Sequence, residues 1–190
     1  MKSQKPNFVL HCAALFVPLA LVLFIPTALF AQQAPAAPSS PATPPTSPSD
    51  ELRVSAYTKN ESLKLKVADL KAMPRTTVSV HNEHAKADET YTGVRLADLL
   101  AKMGAPLGHD LRGVGLSAYI VATGSDGYVA VIALAEADPS FHSGEVIVAD
   151  TLNGAALDAK SGPFKLVVTE DKRPARWVRN LVSIELKSAK

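Results

Sequence analysis

The sequence predicts an α+β domain with a mixed, mostly antiparallel sheet, and three observations carry that expectation. Short apolar runs with period-two alternation recur from Leu52 to the C-terminus. The spacers between them are too short for repeated βαβ crossovers. Only one segment keeps apolar residues at helical spacing, with Leu96, Leu99, Leu100 and Met103 in line and Gly104 where a C-terminal cap belongs.

Ahead of the domain, Met1 to Asn7 carries Lys2 and Lys5, and residues 12–30 hold no charge. A basic start, an apolar stretch and small residues near Ala31 read as a secretory signal over 1–31. The alternative is an uncleaved anchor over residues 8–30, because the apolar run nears the length of a membrane span. Either reading places the remainder outside the cytoplasm, periplasmic or secreted, or tethered to the inner membrane. Residues 32–50 contain six prolines among Ala, Ser and Thr. They read as a semi-rigid, extended linker that buries no core. The folded domain is therefore expected over 51–190.

Within it, Leu52 to Tyr57 and Ser62 to Lys66 alternate as strands. Val67 to Met73 reads as a short helix stopped by Pro74. Arg75 to His81 is a strand by its Thr and Val content, and Asn82 to Glu89 is a polar loop. After the Leu96–Met103 helix, Leu116 to Ala122 and Tyr128 to Leu134 are strands joined by a turn containing Asp126-Gly127. Ala133 to Asp138 is a brief helical turn before Pro139. Glu145 to Ala149 is a strand, Asn153-Gly154 a turn, and Phe164 to Val168 and Leu181 to Leu186 are the last two strands.

Charge and cysteine content exclude several function classes. Once Lys2 and Lys5 are set aside with the leader, 18 basic residues balance 18 acidic ones. A general nucleic-acid binder would show a basic excess. The single cysteine, Cys12, lies in the leader, so the domain has no disulfide and no thiolate ligand. His81 and His84, with Glu83, Asp88 and Glu89, have metal-ligand side chains, but no third fixed ligand is evident and a solvated loop is the simpler reading. No motif assigns a catalytic residue.

The most informative stretch runs from Gly162 to Leu186. Two strands frame a loop carrying Lys172, Arg173, Arg176 and Arg179, with Trp177 among them. A cationic loop on a rigid frame can hold a phosphate or a carboxylate. It can equally be a solvated turn with Trp177 as a core plug.

The ordered segments resemble the oxidoreductase molybdopterin-binding domain, the sulfite-oxidase fold. The matching pieces are VADLKAMP at 67–74, TVSV at 77–80, YTGVRLADLL at 91–100, DGY at 126–128 and VIALAE at 131–136. They continue with NGAAL at 153–157, GPFKLVV at 162–168 and RWVRNLVSIEL at 176–186. The resemblance implies a molybdopterin cofactor held by the basic loop, with Lys172, Arg173 and Arg176 at the matching positions. It makes His81, Asp126 and Tyr128 candidates for lining the ligand pocket. The family's enzymes hold molybdenum through a cysteine at a position that falls near His81, and here no cysteine follows Cys12. The expectation is therefore a domain that binds a pterin or related small anionic ligand without thiolate-held molybdenum. One alternative is a periplasmic oxidoreductase in which His81 replaces the thiolate. The other is a membrane-tethered module whose cations meet an acidic protein partner.

Overall fold

The computed structural model describes residues 50–83 and 86–189. The leader, the linker up to Ser49, and His84 lie outside the described residues. Among the described residues no helix is long and apolar enough to cross a membrane.

The chain enters as a hairpin of β1 (Glu51–Ala56) and β2 (Lys59–Lys66). Helix α1 (Val67–Lys71) follows, and the Asp69 carboxylate accepts the Lys66 amide at 2.8 Å, which satisfies one free donor of the first turn. A second hairpin pairs β3 (Thr76–Asn82) with β4 (Ala87–Arg95). Strand β4 begins inside the segment read from sequence as a polar loop. Its charged start, Ala87-Asp88-Glu89, forms a strand because β3 supplies a full ladder of partners. This tertiary pairing overrides weak β propensity.

Helix α2 (Leu96–Lys102) buries Leu96, Ala97, Leu99 and Leu100, and Gly104 leaves it at φ +74°. Strands β5 (Ala118–Gly124) and β6 (Val129–Ala133) form the hairpin expected at Asp126-Gly127. Helix α3 (Leu134–Ala137) is one turn long. The remaining strands are β7 (Val146–Leu152), β8 (Ala155–Ala156), β9 (Lys165–Val168) and β10 (Leu181–Ser188).

Two sheets result. The first has the order β2-β1-β10-β5-β6, with β1 and β10 parallel and all other pairs antiparallel. The second has the order β3-β4-β7-β8, with β9 also paired to β7. Both sheets and all three helices contribute to the main apolar core, including Leu52, Leu70, Leu99, Ile132, Val148 and Ile184. A smaller core lies on the opposite face of the second sheet, where Val78, Val80, Tyr91, Ile147, Ala149 and Val167 meet under Leu152, Leu157 and Trp177.

Register explains the two cores. In β7, Val146 and Val148 point to the main core while Ile147 and Ala149 point to the smaller one, as strict alternation requires. That central strand is buried on both faces, so its apolar run is continuous rather than alternating. Gly93 allows β4 to close on it. A Cβ at that position would lie 2.1 Å from the Val148 carbonyl oxygen, next to a register shift in the ladder.

Candidate functional site

Strand β9 ends at Val168, and the chain turns through Glu170 and Asp171 into the cationic loop. Pro174–Arg176 forms a single 3-10 turn, with Pro at its start. Trp177 then returns the chain toward the sheets. Its indole N–H donates to the Val168 carbonyl at 2.8 Å, which ties the two ends of the loop together.

An open cleft of about 540 Å³ lies between this loop and the end of β3. One wall is Ser79, Val80, His81 and Glu83, and the other is Thr169 to Lys172 with Trp177. Two of the sequence candidates, His81 and Lys172, therefore face the same hollow. A second hollow, about 590 Å³, lies along β1, β2 and β10 and shares no residue with the cationic loop.

Other sequence candidates have different placements. Arg173 is exposed on the same loop and, like Lys172, has no carboxylate partner among the described residues. Arg176 is held internally. It donates to Asp171 at 2.6 and 3.0 Å and to Glu136 at 3.0 and 3.2 Å. The Asp171 bonds raise its pKa above the ordinary arginine range, and Glu136 adds to the effect. Asp126 accepts the Tyr128 amide at 2.9 Å and belongs to the β5–β6 turn. The Tyr128 hydroxyl donates to the Ala175 carbonyl, so the ring braces the loop, and Tyr128 is not among the residues lining the cleft.

The carboxylates of the cleft are partly neutralised. Asp171 is paired with Arg176. Glu170 accepts from Ser143 at 2.7 Å and meets His142 at 3.0 Å. His81 Nδ1 lies 2.8 Å from Asp88, and that hydrogen bond raises the imidazole pKa above 6.5. Lys172 and His81 thus reach the hollow from opposite walls, and Glu83, Glu170 and Asp171 line it with them.

Sequence reasoning missed another cation, which touches Trp177 but is not among the residues lining the cleft. Lys165 is half-buried on β9, and its Nζ lies 4.5 Å from the Tyr91 ring centre and 5.4 Å from that of Trp177. It donates to the Tyr91 hydroxyl at 2.6 Å, and that hydroxyl donates to Glu89 at 2.7 Å. The Tyr91 and Trp177 rings meet edge to face at 5.8 Å. Burial lowers the Lys165 pKa; burial, then the Glu89 bond, raises that of Tyr91. A signal was present in the sequence. Period-two alternation puts Lys165 on the same face as Val167, so a lysine stands where an apolar residue belongs.

The donor set does not suit a thiolate-held metal. The described residues contain no cysteine, and among them no three His, Asp or Glu side chains stand close enough to hold a metal ion. What the cleft offers is the Lys172 ammonium, the His81 imidazole and the Trp177 ring, beside the carboxylates of Glu83, Glu170 and Asp171.

Residues 42–190 match the model of the family described as the oxidoreductase molybdopterin binding domain. Among solved structures, the sulfane dehydrogenase SoxCD from Paracoccus pantotrophus is similar at 19% identity and a TM-score of 0.56, over 78% of this chain and 41% of that one. That likeness concerns the fold, and the chain spans less than half the length of that protein. No curated protein matches the sequence.

Proposed function

Because the chain belongs to the oxidoreductase molybdopterin-binding domain family, we propose that its cleft binds a pterin or a related anionic ligand and does not ligate molybdenum through sulfur. One observation carries the reading. The fold brings Lys172, His81 and Trp177 to a single hollow, although His81 lies on β3 and Lys172 in the loop between β9 and β10.

The chemistry follows from the side chains. A phosphate or carboxylate on the ligand sits against Lys172 and His81, with the exposed Arg173 next along the loop. A flat heterocycle packs beside Trp177, whose orientation is fixed by its bond to Val168. Arg176 acts indirectly, because its pairs with Asp171 and Glu136 hold the loop in place. When bound to a metal, molybdopterin supplies oxo-transfer and electron-transfer chemistry. With no thiolate in the domain, the residues here account for binding and orientation only.

Under this reading the leader exports the domain and the linker holds it clear of the membrane. The test is cofactor and metal analysis of protein isolated from a host that makes molybdopterin. The proposal expects bound pterin without stoichiometric molybdenum. Stoichiometric molybdenum with oxo-transfer activity contradicts it, and loss of that metal in His81→Ala would then favour the imidazole as ligand.

A further inference from the structure

We propose that the chain self-associates edge to edge through strand β6, about a two-fold axis that passes beside Val131. Strand β6 ends the first sheet and pairs only with β5. Its five residues, Val129–Ala133, carry no charge, no proline and no bulge. The other edge of the same sheet is different. Strand β2 reads KNESLKLK, with Lys59, Glu61, Lys64 and Lys66 all exposed. Charge on an edge strand blocks pairing with another chain, and a bare uncharged edge invites it. This sheet has one edge of each kind.

The phase of the ladder fixes which groups are free. The Gly124 amide donates to the Tyr128 carbonyl, so Ala122 with Ala130 and Ile120 with Ile132 are the bond-exchanging pairs. The backbone N–H and C=O of Val129 and Val131 therefore point away from the sheet. The Ala133 N–H is already taken by Glu136 at 2.9 Å, which leaves its carbonyl.

The strand complements a second copy of itself. Antiparallel pairing about Val131 sets Val131 against its own equivalent and Val129 against Ala133. Val131 can exchange both backbone bonds with its copy, the Val129 amide can reach the Ala133 carbonyl, and the strand residues set opposite one another carry no like charges. The flanking surface is apolar as well. Val129 and Val131 are 51% and 52% exposed, and the exposed Tyr128 immediately precedes the strand. These are three of the seven large apolar side chains exposed among the described residues, and they are consecutive or alternate along this one strand.

The test uses the full chain in a Cys12→Ser background. In the proposed register, Val131→Cys places two Cα atoms about 5.5 Å apart, within disulfide reach. Mild oxidation should convert this variant largely to a covalent dimer. Ser62→Cys, on the charged edge, should remain monomeric under the same conditions. Adding Val129→Lys to Val131→Cys should reduce dimer yield about tenfold, because two ammonium groups then enter the seam. Circular dichroism of each variant confirms that it is folded. Equal cross-linking of the Val131→Cys and Ser62→Cys variants overturns the proposal, as does a monomer from both or a yield unchanged by Val129→Lys.

Discussion

Arg176 and Asp171 face each other through two parallel hydrogen bonds, Nη2 to Oδ1 at 2.6 Å and Nε to Oδ2 at 3.0 Å. The same guanidinium reaches Glu136, whose carboxylate also accepts the Ala133 amide at the start of α3. One side chain thus fastens the cationic loop to the hairpin beside it. Arg176→Gln is expected to lower unfolding free energy by about 1–2 kcal/mol, since a fork-to-fork pair is lost and Asp171 keeps an unpaired charge. Lys172→Ala should stay within about 0.5 kcal/mol of the parent, because Lys172 is exposed and unpaired among the described residues. Urea denaturation distinguishes the two. Equal losses would show that Arg176 does not brace the loop.

The His81–Asp88 bond predicts a pH dependence of ligand binding. The folded pKa of His81 is raised above 6.5, so the imidazolium persists to higher pH than in an unfolded chain. Any stability it contributes is present below pH 6.5 and is lost as pH rises through the folded value. Anion affinity should fall over that same rise. Asp88→Asn should shift the fall to lower pH, because the partner that favours the charged ring is removed. Calorimetric titration across pH 5.5–9 checks this (a range chosen around the free imidazole value). A profile that is flat for the parent contradicts a role for His81.

Lys165 lies beneath Trp177 and is expected to influence the ligand without stabilising the fold. Its burial lowers its pKa, which indicates that the ammonium is held at a cost in the folded state. Lys165→Met keeps the chain length and removes the charge. Stability should change by less than about 1 kcal/mol or rise slightly. Affinity for a phosphorylated pterin should fall. Thermal melts and a binding titration on the same protein check both halves, and unaltered affinity removes Lys165 from the site.

Gly93 gives a structural prediction independent of function. A Cβ there meets the Val148 carbonyl at 2.1 Å and the Ala149 Cα at 2.6 Å, both backbone atoms that cannot step aside. Gly93→Ala should therefore cost about 2–4 kcal/mol or prevent folding. Denaturation midpoints test this, and a neutral variant would mean that β4 and β7 are further apart than described.

Much of this fold was readable because alternation marks strands whose faces differ. The β5–β6 hairpin followed from Asp126-Gly127 between two apolar runs, and α2 followed from the Leu96–Met103 spacing. The start of β4 was hidden, because Asp88 and Glu89 have low strand propensity and only β3 makes them extended. The site was legible in part. The cationic loop and His81 could be named, but the sequence does not say which cations are already paired. Arg176 and Lys172 look alike in a string. Asp171 and Glu136 distinguish them, and Glu136 is 40 positions away. Lys165 was obscured by its apolar neighbours for the same reason, since its partners Tyr91 and Glu89 come from another strand.

Trp177 is the only tryptophan in the chain and it lines the cleft, so its emission reports on this site alone. Titrating the protein with a phosphorylated pterin while exciting that indole is the most direct measurement. Saturable quenching that weakens at least about tenfold in Lys172→Ala, a loss near 1.4 kcal/mol, is the predicted result. Emission that is unchanged by the pterin, or quenched equally in both proteins, would contradict ligand binding in the cleft.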